Sequence, residues 1–327
     1  METMKVLLLP FALMAMMHLG HTSPLLPTGK YLAYADRAER NVVVLNAQGE
    51  KQFSIADATQ PSLSPDAKYI AFARTEYIST GDGRKLQSDI WIADIAGRKE
   101  RRLTNTRDNE ENPAWSPDGK RVAFGVRRQG FYGNSYGLLG IINADGSDRH
   151  AITNNDGCSR PSWNPNGKQL CFVLFGQICR VDIDGKNRRR LTKTSVAGDF
   201  PQYSPDGRWI IFSDGNDDGV ITREDNQFGP ILRGTDSIAR VSTSGEDAKH
   251  PIAYLTNGKN DDDMPQFSAD GKWIIFSTDR KDRASSPPLD PYDEGARYSR
   301  TLCVMQANGK NTRILNVNGD AIFPCWR

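Results

Sequence analysis

Histidine is scarce. The 327 residues include four, and two of them, His18 and His21, fall in an apolar N-terminal stretch. Only His150 and His250 remain, which argues against a metal site gripped by several imidazoles. No charge sign dominates: 42 Lys and Arg stand against 40 Asp and Glu, for a net charge of +2. That balance gives no reason to expect nucleic acid or an anionic membrane as partner. Cysteine is limited to Cys158, Cys171, Cys179, Cys303 and Cys325. Five is odd, so at least one thiol stays unpaired within the chain, and the spacings fit no zinc pattern. Cys171 and Cys179 bracket "CFVLFGQIC". They are either cross-strand disulfide partners or two buried thiols acting as small apolar residues. The pairing of Cys158, Cys303 and Cys325 is open.

Long apolar runs are missing after the first twenty residues. The run from Val6 to about Leu19 follows a single Lys5 and is too short to span a bilayer. It fits the apolar core of a secretory signal, so residues 1–23 are expected to be removed, with cleavage between Gly20 and Pro24, and 24–327 to form the mature domain. With no cysteine nearby, a lipid anchor is not expected. Nothing later is apolar enough to insert in a membrane. The expected location is periplasmic or secreted.

What the sequence does contain is a repeat. A proline is followed three residues later by a tight-turn signature: Pro61 with "SPDA", Pro113 with "SPDG", Pro161 with "NPNG", Pro201 with "SPDG" and Pro265 with "SADG". Each turn leads into a β-branched run that closes on an aromatic, namely Phe72, Phe124, Phe172, Phe212 and Phe276. A second run then ends in a Gly-closed turn such as "NADG" (143–146) or "DIDG" (182–185), where Gly accepts positive φ. Thr104, Thr153 and Thr192 stand seven residues beyond three of these glycines, and Asn316 stands there in the final unit. Each unit reads as four antiparallel strands, the blade of a propeller. The prolines are 52, 48, 40, 64 and 59 residues apart, and insertions between the second and third strands account for the longer intervals.

The last residues, "FPCWR", begin a sixth unit without finishing it. The missing turn and three strands lie at the other end, in "LPTGKYLAY" (26–34), "NVVVLNAQG" and "EKQFSIA". The expected fold is therefore all-β: a six-bladed propeller of four-stranded antiparallel blades, closed by one C-terminal strand and three N-terminal strands. Pairing across that seam removes the open sheet edges of a linear chain. The basic runs "GRKERR" (97–102) and "GKNRRR" (185–190) fall in outer strands, where Lys and Arg protect an exposed edge.

The pattern P-x-W-S-P-D-G-K-x-x-A-F, followed by N/D-x-D-G and R-L-T, resembles the repeat of TolB-like β-propellers with their WD-repeat-like blades. The resemblance runs from about Leu26 to Arg327, without the α/β domain that precedes the propeller in TolB itself. It implies a stand-alone exported propeller. Function stays open at this level, because propellers host binding proteins and enzymes alike.

Four long connections gather on one face: 74–89, 126–137, 213–236 and 277–300. The connections into the inner strands are acidic or amide-rich, which nominates Asp57, Glu110, Glu111, Asp199, Asp262 and Asp320 as a binding rim at the channel mouth that would favour cations or basic peptides. The other reading is that these residues only start strands. "DGNDDGVITRED" (214–225) fits a calcium loop. Asp214, Asn216 and Asp218 take positions 1, 3 and 5, Val220 offers a carbonyl at 7, and Thr222 and Asp225 take 9 and 12. Calcium is thus the expected cofactor, with weak affinity, against an ordinary Asp- and Gly-rich loop. "GNSYG" (133–137) matches G-x-S-x-G but lacks the following helix of a nucleophile elbow, so Ser135 is set aside. The expected function is a non-catalytic interaction module, a monomer that binds a protein or peptide, or a glycan, through the long-loop face. The alternative is a carboxylate- or metal-assisted hydrolase or lyase at the channel mouth, with Glu110 and Glu111 or Asp261–Asp263 as acid and base.

Overall fold

The computed structural model describes residues 24–80, 83–96, 98–129, 135–154, 157–193, 196–215, 236–246, 251–280 and 299–327. In chain order the strands are β1 (Tyr31–Asp36), β2 (Asn41–Asn46), β3 (Lys51–Ala56), β4 (Ala58–Leu63), β5 (Tyr69–Thr80), β6 (Gly83–Asp94), β7 (Glu100–Arg102) and β8 (Asn109–Trp115). Next come β9 (Arg121–Gln129), β10 (Ser135–Asn143), β11 (His150–Ala151), β12 (Cys158–Trp163), β13 (Gln169–Leu174), β14 (Gln177–Asp182), β15 (Arg189–Arg190) and β16 (Gly198–Tyr203). The chain closes with β17 (Trp209–Asp214), β18 (Ser237–Ser242), β19 (Ala253–Tyr254), β20 (Asp263–Phe267), β21 (Trp273–Thr278), β22 (Thr301–Gln306), β23 (Arg313–Leu315) and β24 (Ala321–Trp326).

These strands form six four-stranded antiparallel sheets. Five are consecutive, and the sixth has the order β24-β1-β2-β3. The one-plus-three closure is present, with Leu32 opposite Trp326 and Ala33 opposite Cys325. The inner strands β4, β8, β12, β16, β20 and β24 contact one another in cyclic order around a central channel.

The blades hold together through apolar layers between neighbouring sheets. Phe72, Phe124, Phe172, Phe212 and Phe276 are fully buried at matching places in five blades, with Tyr34 in the sixth. Burying each such side chain stabilises the fold by roughly 1.5–3 kcal/mol. The tight turns are pinned locally. Ser64 Oγ donates to Asp66 at 2.7 Å and accepts the amide of Tyr69 at 2.9 Å, and the Ser116, Ser204 and Ser268 turns repeat the pair. The recurrent threonines cap strands: Thr104, Thr153 and Thr192 accept the amides of Ile90, Leu139 and Ile178 at 2.9–3.0 Å. Thr256 does the same for Ile238, although its unit departs from the sequence spacing.

The structure decides one open alternative and changes one expectation. Cys171 pairs with Arg180, while Cys179 pairs with Phe172, so the two cysteines project from opposite faces of one sheet and pack in different layers. No disulfide joins them, and all five cysteines are buried free thiols. The stretch 74–89 is not a loop. Beyond Arg74, which pairs with Ala58, β5 and β6 continue as a two-stranded ribbon in unbroken register to Thr80 opposite Gly83.

Candidate functional site in the central channel

Every inner strand carries a β-bulge at the same place, just before its proline. The residue preceding that proline adopts left-handed backbone in all six blades: Gln60 (φ 53), Asn112 (φ 54), Arg160 (φ 54), Phe200 (φ 49), Met264 (φ 57) and Phe323 (φ 49). None is glycine, and the residue before proline normally lies extended. The bulge re-aims these side chains, and all six line the channel.

The ring they form is divided. Gln60, Asn112 and Arg160 occupy three successive blades and are polar; Phe200, Met264 and Phe323 occupy the other three and are apolar. Its members are interlocked. Gln60 Oε1 accepts the amide of Asn112 at 2.8 Å. The Arg160 guanidinium lies 3.7 Å over the Phe200 ring. Phe200 meets Phe323 edge to face at 5.5 Å, and the Phe323 amide donates to Met264 Sδ at 3.2 Å.

This ring separates two environments. On the tight-turn side lies a cavity of about 360 Å³. Its walls are the six inner-strand prolines, the turn prolines Pro65, Pro117, Pro165 and Pro205, and Trp115, Trp163 and Trp326 among others. On the long-loop side lie the carboxylates. Asp199 and Asp263 stand immediately before the ring residues Phe200 and Met264. Each accepts the next residue's amide, at 2.9 and 2.7 Å.

Asp199, Asp263, Asp236 and Asp261 crowd together with two arginines of the described residues, Arg300, which pairs with Asp261, and Arg160, which pairs with Asp199. Burial, reinforced by Asp263, pushes Asp199 up to about 6 even with Arg160 paired at 2.5 Å. Burial and the neighbouring Asp263 and Asp261 push Asp236 up to about 8. Asp263 is also raised, chiefly by burial. Asp236 and Arg300 were not singled out by sequence. They lie at the edges of long connections, and only blade packing brings them to Asp199.

The other rim candidates do not converge. Glu110 is fully buried and accepts from Thr104 at 3.0 Å, Thr106 at 2.7 Å and Arg149 at 2.7 Å. Asp262 is its counterpart in another blade, held by Thr278 at 2.6 Å and by Arg280. Glu111 pairs with Arg127, Asp57 lies exposed 3.6 Å from Arg40, and Asp320 binds Arg37 at 2.7 Å. Among the described residues no group of three or more His, Cys, Asp or Glu is placed to hold a metal ion. Of the calcium-loop positions only Asp214 is described. Its carboxylate accepts from the Tyr254 hydroxyl at 2.7 Å and the Ala197 amide at 3.2 Å. Asn216, Asp218, Val220, Thr222 and Asp225 lie outside the described residues. Ser135 opens strand β10, and strand continues to Asn143 where an elbow would need a helix.

Known proteins share this architecture. The uncharacterized peptidase YuxL of Bacillus subtilis is 26% identical over 256 residues, covering 72% of this chain and 32% of YuxL. The uncharacterized protein Atu1656 of Agrobacterium fabrum is 28% identical over 213 residues, 62% of either chain. This chain thus spans about a third and about three-fifths of these relatives' lengths. The crystal structure of TolB from Acinetobacter baumannii superposes with a TM-score of 0.64 at 20% identity, covering 91% of this chain and 66% of that one. The TolB beta propeller domain matches residues 22–223. With its repeats, its six blades and this match, the chain belongs to the TolB beta propeller domain family.

Proposed function

We propose that the protein is an exported interaction module that engages a protein or peptide partner through its long-loop face. The observation that carries this reading is the β5–β6 ribbon. Tyr77 and Leu86 sit opposite each other near its tip and remain 70% and 49% exposed. A large aromatic and a leucine side by side on a projecting ribbon have no packing role inside the ring. Aromatic anchors on a rigid scaffold are what partner surfaces bury. The test is affinity capture from an envelope extract with the wild type and a Tyr77→Asp/Leu86→Asp variant. A partner recovered by the first and lost with the second supports the reading. Equal recovery by both removes the ribbon from it. Repeating the capture with a chelator asks whether the 214–225 loop contributes through calcium.

A second reading, a carboxylate-assisted hydrolase or lyase at the loop-side mouth, is favoured by Asp199 and Asp236. Their raised proton affinities, about 6 and about 8, bracket neutral pH as a general base and acid require. YuxL, described as an uncharacterized peptidase, lends this reading some support. Turnover of a peptide or glycan library, abolished by Asp236→Asn, would give it precedence.

A further inference from the structure

The sheet edges of this ring carry recognisable protection. The outer strands β7 and β15 are very short and rich in arginine, and the inner strands carry a bulge beside a proline. On its β5 side the ribbon has neither device. β4 follows β5 only as far as Ala58 opposite Arg74, and Asp57, in left-handed backbone (φ 51), links that end of β4 to β3. Beyond this point β5 reads Thr-Glu-Tyr-Ile-Ser (75–79), with no proline or lysine and no break in its register with β6. Its β-branched and aromatic content suits a strand.

The pairing fixes which groups that edge offers. The Ser88 amide points away from β5, because it donates to Asn109 Oδ1 at 3.0 Å. Ser88 and its partner Thr75 are thus a non-hydrogen-bonded pair, and the alternation of an antiparallel ladder makes Tyr77–Leu86 and Ser79–Arg84 the same. The amides and carbonyls of Thr75, Tyr77 and Ser79 therefore turn outward, and among the described residues no main-chain group bonds to them. The opposite edge of the ribbon is covered, since Ser88 Oγ donates to the Glu110 carbonyl at 3.0 Å and Gln87 donates to the Thr106 carbonyl.

The side chains beside the free edge define what fits. Thr75, Tyr77 and Ser79 share one face with Leu86, and Glu76 stands exposed on the other. The cations of the Glu76 face are engaged elsewhere: Arg74 with Glu100 at 2.8 Å and Lys85 with the Arg107 carbonyl at 3.5 Å. The edge is completed by an extended main chain with an apolar residue beside Tyr77 and a cation one residue along, beside Glu76. A second copy of this chain fits poorly. Antiparallel pairing of its β5 with all three outward residues sets Ile78, not a cation, beside Glu76, and sets Thr80 opposite Arg74, where Ala58 already lies.

We propose that the partner protein supplies an extended segment that adds as a strand to β5 over Thr75–Ser79, antiparallel like the other strand pairs of the ring, with an apolar residue beside Tyr77 and a Lys or Arg beside Glu76. Main-chain bonds to the three outward residues hold the segment, and the alternating side chains select it. This rests on the interaction-module reading above and specifies its contact.

The test measures fluorescence anisotropy of a labelled peptide, fluorescein-Gly-Thr-Lys-Leu-Lys-Thr-amide, with the full chain. The same peptide with N-methylated leucine keeps every side chain and loses the amide that faces Tyr77, and it is expected to bind about tenfold more weakly. The version with both lysines replaced by glutamate is expected to bind about twofold to fivefold more weakly at low salt, and Glu76→Lys to reverse that preference. Ser79→Pro removes an outward amide while leaving the β6 ladder and the Tyr77 and Leu86 side chains in place, and should also weaken binding about tenfold. The proposal is overturned if the N-methylated peptide or Ser79→Pro binds like its parent, if Glu76→Lys keeps the original preference, or if no peptide binds at millimolar concentration. A wild-type dimer in sedimentation that Ser79→Pro dissolves would give the edge to a second copy and overturn it as well. The peptide comparison on the unmodified protein decides the matter even if a variant misfolds. Capture from envelope extract separates the two readings: a partner lost with Tyr77→Asp/Leu86→Asp but kept with Ser79→Pro leaves the interaction module standing and removes strand addition.

Discussion

The phenolic hydroxyl of Tyr34 donates to the main-chain oxygen of Asn318 at 2.9 Å, joining positions 284 residues apart. The bond lies beside the pairing of β1 with β24, so the two ends of the described chain are fastened by side chain and backbone together. Tyr34→Phe keeps the buried ring and removes the bond. A loss of about 1 kcal/mol in urea unfolding is expected. Deleting residues 321–327 strips β1 of its partner and leaves an open edge, and the single cooperative transition should broaden or split. A truncated chain that unfolds as sharply as the full one would show that the seam does not hold the ring.

Glu110 has no exposure to water and relies on Arg149 for its counter-charge. Arg149→Met should destabilise by roughly 3 kcal/mol, because a buried charge loses its partner. Glu110→Gln combined with Arg149→Met should recover much of that loss, since the charge itself is gone. Urea midpoints of the two variants measure this, and a single variant costing no more than the double would contradict it.

Asp199 and Asp236 hold protons in the folded state that the unfolded chain has already released, since an exposed Asp titrates near 3.8 and these titrate near 6 and 8. Where the folded state binds more protons than the unfolded one, stability falls as pH rises. The contribution of these two groups is therefore fully present below about pH 4 and declines through pH 8. Asp236→Asn should flatten the dependence and leave the variant more stable than wild type at pH 8.5. Unfolding midpoints at pH 5 and 8.5 check the sign.

All five cysteines are buried, and burial raises the thiols of Cys171, Cys303 and Cys325, so none offers a reactive thiolate. A thiol reagent such as Ellman's should find none in the native protein and five after denaturation without reductant. Fewer than five would reveal a disulfide, and rapid native reaction would reveal an opening of the blade layers.

The ring could be read from residue order because each of its devices is local. Pro113, the Ser116–Asp118 turn, Phe124 and the Gly146 turn follow one another within a single blade, so strand count, turn positions and the split seam repeat along the chain as a visible period. The capping role of Thr104, Thr153 and Thr192 was marked by the same spacing. The site was not legible in this way. Glu110 and Asp199 occupy similar acidic connections, yet one is sealed under Arg149 and Thr106 while the other faces Asp236 and Asp263 at the channel. A linear pattern cannot distinguish them, because the distinction depends on which groups from other blades arrive beside each carboxylate. The rule for residues before proline puts Phe200 and Met264 in extended backbone, yet a bulge shared by all six inner strands turns them into the channel. Local chemistry settled how each blade is made, since turns and strand periodicity act over a few residues. The crowding of Asp199, Asp236, Asp261 and Asp263 at the loop-side end of the channel came from bringing six blades around a common axis, where charge and burial depend on neighbours dozens to hundreds of residues away.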